Sequence, residues 1–289
     1  MARESEGTAV GPTALVAVEQ YFPQKERVVD DTLAYRMLPA KTRAFVRLLK
    51  PRWVRDLIIS LSEKSQPGIW GGLLCRKRYI DEKLSSSSDN IGAVVNLGAG
   101  FDTREFRLPS LSKMSFWEID QAKNISLKRQ RLRRALGKMP PNVNFVPIDF
   151  DREDIGSVLV SHGYSTSERT FFIMEAVTQY LTEEGMDEVL SFLSKAASGS
   201  RLLFSYVRKD FFTAESLFGW GKGYKRFVLG KIWHYAMDPV EVPGLLAKYG
   251  WRIIEDKGYD ELADGYLKPF RRNLSSTPVE RMVFAEKVK

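Results

Sequence analysis

From residue 91 onward the chain keeps returning to one pattern, a short apolar run followed by a helical stretch. The runs are Ala93–Leu97, Phe116–Asp120, Val143–Asp149, Phe171–Glu175, Leu202–Val207, Trp251–Glu255 and Arg281–Ala285. Helical stretches at 121–137 and 183–197 separate several of them. Runs apolar at nearly every position fit strands covered on both faces, so the pattern predicts βαβ units, a mostly parallel sheet and helices on each side. Upstream the reading is helical. Asp30 and Asp31 could cap a segment to about Leu38, Lys41 to Leu49 is apolar at helical spacing, and Pro51 opens a helix over Arg52 to Leu61. Ser85 to Asn90, without apolar residues, is expected to be the loop between preamble and sheet. A length of 289 residues suits one large domain. We divide it into a helical cap (1–90), a core (91–207), an aromatic insert (208–244) and two closing strands (245–289).

Several classes of protein are excluded. No uncharged stretch reaches the 18 or so apolar residues of a membrane span. The polar start, Met1 to Glu6, does not predict a secretory leader. A single cysteine, Cys75, rules out an internal disulfide framework, and with two histidines, His162 and His234, no metal site is expected. The cytoplasm is the expected compartment. The formal charge of +8 concentrates in residues 91–150, with 10 Lys/Arg against 5 Asp/Glu. Lys123, Lys128, Arg129, Arg131, Arg133, Arg134 and Lys138 account for most of it. That helix reads as a solvated face, with a polyanion patch as the other reading. No interleaved aromatics accompany it, so a nucleic-acid partner is not expected.

Candidate site residues fall at the ends of the runs, where ligands bind in open α/β sheets. The first run ends in Gly98-Ala99-Gly100-Phe101-Asp102-Thr103. Asp120 ends the second, where a carboxylate can accept from ribose hydroxyls. Thr103 stands where a dinucleotide fingerprint has its third glycine, which disfavours NAD because a pyrophosphate needs a glycine-lined helix start. S-adenosylmethionine, with adenosine and no phosphate, tolerates the change. Asp149-Phe150 ends the third run: either a carboxylate and ring for adenine, or an Asp capping the next helix. Glu175 ends the fourth, within an otherwise apolar stretch, as a helix cap or a ligand group.

Val94 to Arg104 resembles the cofactor loop of the leucine carboxyl methyltransferase family, which includes bacterial small-molecule O-methyltransferases. Phe116 to Asp120 with the Lys128-Arg129 helix, Met174-Glu175-Ala176 with Tyr180-Leu181, and Gly71-Gly72-Leu73-Leu74-Cys75-Arg76 resemble further blocks. The resemblance covers roughly residues 25–205 and is loose beyond 208. It implies a doubly wound, Rossmann-like class I methyltransferase sheet with an antiparallel edge, and S-adenosyl-L-methionine as cofactor. It also implies that Arg76 pairs with the methionine carboxylate, a task for which Arg78 competes. Gly98 and its neighbours Ala99, Gly100 and Asp102 would shape the methionine pocket. Asp120 would hold the ribose, Asp149 and Phe150 would flank the adenine, Glu175 would face the methionine amino group, and Tyr180 would lie near the reacting end.

The expected reaction is methyl transfer to an oxygen of a small, largely apolar acceptor, in the manner of secondary metabolism. A carboxylate needs no catalytic base, which suits a histidine-poor chain. For a hydroxyl acceptor His234 is the candidate base. The aromatic stretch 208–240, with eight Phe, Tyr and Trp side chains, reads as a lid over the acceptor. Cys75, with no histidine beside it, is expected to be a buried small residue. A protein C-terminal carboxylate or RNA as acceptor is the second reading, and a non-catalytic nucleotide-binding protein the third.

Overall fold

The computed structural model describes residues 9–150 and 152–288; the polar start read above, residues 1–6, lies outside them. The helices are α1 Val10–Glu19, α2 Ala34–Met37, α3 Ala40–Leu48, α4 Arg52–Ser65, α5 Ile69–Ser87, α6 Arg104–Arg107, α7 Ala122–Leu136, α8 Ile155–Ser161, α9 Glu183–Leu193, α10 Lys209–Phe212, α11 Gly221–Tyr224, α12 Val242–Lys248 and α13 Tyr259–Tyr266. The strands are β1 Ala93–Leu97, β2 Ser115–Asp120, β3 Val143–Pro147, β4 Thr170–Met174, β5 Arg201–Val207, β6 Trp251–Gly258 and β7 Glu280–Lys287. They form one sheet in the order β3-β2-β1-β4-β5-β7-β6. The first five strands are parallel. The two-residue period sorts their side chains. Val94, Phe116, Phe171 and Ile173 meet α1, α4, α5 and α13 on one face. Val95, Trp117, Phe172 and Met174 meet α8, α9 and α12 on the other. Strand order reverses between β1 and β4, which opens a crevice at their carboxyl ends.

Three features differ from the sequence reading. The antiparallel strand is not the edge: β7 runs between β5 and β6 and pairs antiparallel with both, so β6 closes the sheet. Ser85 to Asn90 is not a loop. Helix α5 continues to Ser87 and a 3-10 turn follows over Ser88–Asn90. The hydroxyls of Ser86 and Ser87 donate to the Lys83 carbonyl, and that of Ser88 to Ser85. Such back-bonding is compatible with a helix held by tertiary packing, and Leu84 and Ser87 are buried. Lys128 is not on a solvated face. It is fully buried on α7 against Glu118 of β2.

The capping expectations fare better. Asp31 accepts from the backbone N–H groups of Leu33 and Ala34 at the start of α2. Its other oxygen accepts from the Thr103 hydroxyl at 2.7 Å, tying the helical preamble to the loop after β1. Cys75 is buried, and burial pushes its thiol up to about 12, so it is no nucleophile at neutral pH. Among the described residues no helix is long and apolar enough to cross a membrane, and no cluster of His, Cys, Asp and Glu could hold a metal.

Candidate active site

A cavity of about 1130 Å³ lies over the carboxyl ends of the parallel strands. Of the candidate residues read from the sequence, Arg76, Gly98, Ala99, Gly100, Asp102, Asp120, Asp149, Phe150, Glu175, Tyr180 and His234 line it, and Arg78 does not. They enter from four strand ends, from α5 and from the 208–244 segment.

The loop after β1 turns with positive φ at Gly98 (71°) and Gly100 (49°). A Cβ on Gly98 would stand 2.4 Å from Cγ2 of Val177, so glycine is needed for the β1 and β4 exits to pass each other. The amides of Gly98 and Ala99 donate to the Ile119 carbonyl. Asp102, although on the cavity wall, is occupied in bracing the loop. It accepts from the backbone of Thr103 and Arg104, from the Asn96 amide and from the Arg104 guanidinium. Burial opposes its ionisation, but Arg104 and Lys77 outweigh that and hold its carboxyl well below the usual range.

Asp120 ends β2 and is buried. Its Oδ2 accepts from Gly100 N at 2.7 Å, and its Oδ1 from Gln121 N and Asn124 Nδ2, each at 2.7 Å. A carboxylate offers about four lone-pair positions, so Asp120 keeps capacity for a ligand hydroxyl while fixing the glycine loop. Asp149 is exposed at the rim beside half-buried Phe150. The cap of α8 is Asp154, which accepts from Ser157 N, so Asp149 is not needed for that task.

Glu175 is neither a helix cap nor an isolated ligand group. Arg76 Nε reaches its Oε1 at 3.0 Å, Lys77 Nζ lies 2.9 Å from the same oxygen, and Arg104 Nη1 meets Oε2 at 2.8 Å. Burial would raise this carboxyl, but Lys77, Arg104 and Arg76 hold it down to about 2. Arg76 also donates from Nη1 to Glu280 at 3.1 Å, and Tyr259 donates its hydroxyl to Glu280 at 2.7 Å. This network depends on α5 lying close to the chain before β7. A Cβ at Gly71 would meet the Ser275 carbonyl at 2.1 Å, so the first glycine of the Gly71-Gly72 pair lets the helix approach. Arg78 is on the other side of α5, exposed, with its guanidinium over the Phe270 ring at 5.6 Å. Of Arg76, Lys77 and Arg78, the first two line the cavity.

Lys77, Arg104 and Glu280 were missed as members of the site. Arg104 ends the Val94–Arg104 block and Lys77 directly follows the Gly71–Arg76 block, so each stood beside a signal. Glu280 is 204 residues from Arg76 and carried none. Across the cavity, His234 N donates to the Gln179 carbonyl at 2.7 Å, which pins the 208–244 segment beside Tyr180. The Trp233 and Phe227 rings stack 4.6 Å apart above this point, with Trp220 and Ile232 also on the wall. The side chain of His234 is exposed.

The site thus has an ionic end suited to an ammonium and a carboxylate, a central carboxylate, a rim carboxylate beside a ring, and an aromatic roof. A family model described as leucine carboxyl methyltransferase matches residues 9–194. A Bacillus subtilis protein named among S-adenosyl-L-methionine-dependent methyltransferases is 28% identical over 225 residues, 74% of this chain and 72% of its own length. A Mycobacterium tuberculosis protein of the same description is 28% identical over 268 residues, 86% of this chain and 85% of its own. A crystal structure from Thermobifida fusca, described as a methyltransferase, superposes with a TM-score of 0.58 at 15% identity, covering 83% of this chain and 90% of that one, a likeness of fold.

Proposed function

Because the chain belongs to the leucine carboxyl methyltransferase family, we propose that it transfers a methyl group from S-adenosylmethionine to a carboxylate oxygen of a small, largely apolar acceptor in the cytoplasm. One observation carries the reading: a single cavity joins the ionic floor around Glu175 to the aromatic roof of Trp220, Phe227 and Trp233.

The donor set fits the cofactor. Arg76 and Lys77 would receive the methionine carboxylate and Glu175 its ammonium, a pairing that suits a guanidinium fork and an ionised acid. Asp120 would accept from a ribose hydroxyl, and Asp149 with Phe150 would flank the adenine. S-adenosylmethionine, when bound, supplies an electrophilic methyl group for in-line displacement. The chain's own contribution is to position and to exclude water. Tyr180 and the stacked Phe227–Trp233 pair would hold the acceptor against the polar floor, and the 208–244 segment would cover it as a lid. A carboxylate acceptor arrives ionised, so no residue needs to take a proton.

Replacing Asp120 by alanine should weaken S-adenosylhomocysteine binding by about 1–3 kcal/mol in calorimetry, the scale of hydrogen bonds to a charged group. The upper half is expected, since Asp120 also fixes Gly100 N. Unchanged affinity would move the ribose elsewhere, and tight NAD binding without a response to S-adenosylhomocysteine would sink the cofactor reading.

Single-turnover transfer to a panel of aryl and alkyl acids and phenols separates the acceptor classes. A carboxylate acceptor should give a rate flat from about pH 6 to 9, because its pKa is near 4. A rate rising through that range, with a limb that His234→Ala abolishes, would make the acceptor a hydroxyl and His234 its base.

A further inference from the structure

Two features are not used by methyl transfer. The first is an apolar stripe on the outside of the helical cap. On α4, Trp53, Leu57 and Leu61 recur every fourth residue, one face of the helix, and are 72%, 51% and 51% exposed. Leu48 and Phe45 on α3 add 67% and 51%. Ile58, the next position around α4 from Leu57, lines the cavity, as does Phe45. Phe45 therefore belongs both to this exposed apolar surface and to the cavity wall. Clusters of exposed large apolar side chains mark interaction sites.

The second feature is the charge around this stripe. Lys41, Arg47, Lys50, Arg52 and Lys64 are exposed, and Arg43 is half-buried. Against them stand Asp56, paired with Arg52 at 3.5 Å, and Glu63, whose oxygens accept from the Gly68 and Trp70 amides. The basic field continues onto α7. Arg131 donates to the Met37 carbonyl and Arg36 to that of Ala135, so α2 bridges the two regions. Arg131 has its pKa lowered by burial and by the nearby charge of Arg43. Arg129, Arg133 and Arg134 are exposed along that helix, and Lys138 just beyond its end.

We propose that the outer face of α3 and α4 docks on an anionic lipid bilayer. Trp53, Leu57 and Leu61 would enter the headgroup boundary, and the flanking lysines and arginines would lie on lipid phosphates. Apolar side chains with Trp and Leu, ringed by basic ones, are the signature of an interfacial helix. A second copy of the chain fits less well. A two-fold contact through the stripe would bring the same basic rims together. A nucleic acid would meet the rim but leave Trp53 and the leucines without a partner.

The test is co-sedimentation with vesicles of phosphatidylglycerol and phosphatidylcholine in equal parts, against phosphatidylcholine alone, with tryptophan emission followed in parallel. The protein should pellet with the anionic vesicles only, with a blue shift, and detach at about 0.5 M salt. Trp53→Glu and Leu57→Glu should each weaken partitioning about tenfold, and Lys50→Glu about fivefold. All three should keep wild-type binding of S-adenosylhomocysteine, which reports the fold. Equal pelleting of Trp53→Glu and wild type would overturn the proposal, as would equal affinity for neutral vesicles. So would a dimer in sedimentation velocity that Trp53→Glu dissolves, or capture of an oligoribonucleotide by a protein that ignores vesicles.

Discussion

Replacing Lys128 by methionine is expected to cost about 3–5 kcal/mol of stability, the penalty for leaving a buried charge without its partner, and to lower Tm by about 10 °C. Lys128, Glu118 and Glu105 are all buried at the junction of α7, β2 and α6. The ammonium lies 2.6 and 2.5 Å from the two oxygens of Glu118 and 3.6 Å from Glu105. One cation faces two carboxyls in contact with each other. Burial raises both carboxyls against the opposing pull of Lys128, and Glu105 raises Glu118 further, so Glu118 holds its proton to higher pH than a free carboxyl does. Glu118→Gln should therefore cost less than Lys128→Met, because burial disfavours the charged acid that the neutral amide replaces and Glu105 still faces Lys128. The sign follows from the raised pKa. The contribution of the retained proton is full below the unfolded value near 4.5 and is lost as pH rises through the folded one. Wild-type protein should lose this contribution as pH rises above about 4.5, and Glu118→Gln should not. Chemical denaturation of both variants across pH measures this. Equal losses for Lys128→Met and Glu118→Gln would remove the shared proton from the account.

That triad was present in the sequence without being read. Glu118 sits inside Phe116-Trp117-Glu118-Ile119, a strand expected to be covered on both faces, and an acid there demands a buried partner. The basic helix that follows contained the partner, but composition alone cannot distinguish which of its six cations turns inward. The parallel strands were legible for the same reason that makes them stable: burial on both faces leaves a nearly continuous apolar run. The antiparallel place of β7 was not, because pairing between β5 and β7 is a contact across the chain that no local pattern records. Ser85 to Ser88 misled because serine favours turns by local hydrogen bonding, and here the same bonds run back along a helix that packing already holds. The strand-end residues line the cavity, since position at the end of a parallel strand places a side chain at the crevice. Glu280 was not legible, since it lies 204 residues from Arg76 and reaches the crevice only through the antiparallel pairing of β7 with β5. The 208–244 segment showed no period because it is built from two single-turn helices and a π-helical turn, Lys225–Leu229, secured by ring packing and by the His234–Gln179 bond.

Arg76→Ala should be the most damaging single change at the site, and Arg78→Ala close to silent. The Arg76 guanidinium is buried with ion pairs to Glu175 and Glu280. Its removal leaves two acids short of a partner and takes away the fork proposed to receive the methionine carboxylate. A stability loss of about 3–5 kcal/mol is expected, together with S-adenosylhomocysteine affinity below calorimetric detection. Arg78 is exposed over Phe270, so its loss should cost less than about 1 kcal/mol. Acid titration gives a second readout that a cavity left by any truncation would not produce. Glu175 is held down to about 2 by Lys77, Arg104 and Arg76, against its burial. A depressed carboxyl contributes stability present above its unfolded value of 4.5 and lost as pH falls toward 2. Without Arg76 the Glu175 pKa rises, so acid unfolding followed by circular dichroism should begin at higher pH in Arg76→Ala than in wild type or Arg78→Ala. Arg76→Lys keeps the charge but cannot reach Glu175 and Glu280 with separate nitrogens, so it should recover part of the acid resistance and little of the cofactor affinity. Normal cofactor binding by Arg76→Lys, or a worse phenotype for Arg78→Ala, would shift the methionine end of the site away from this face of α5.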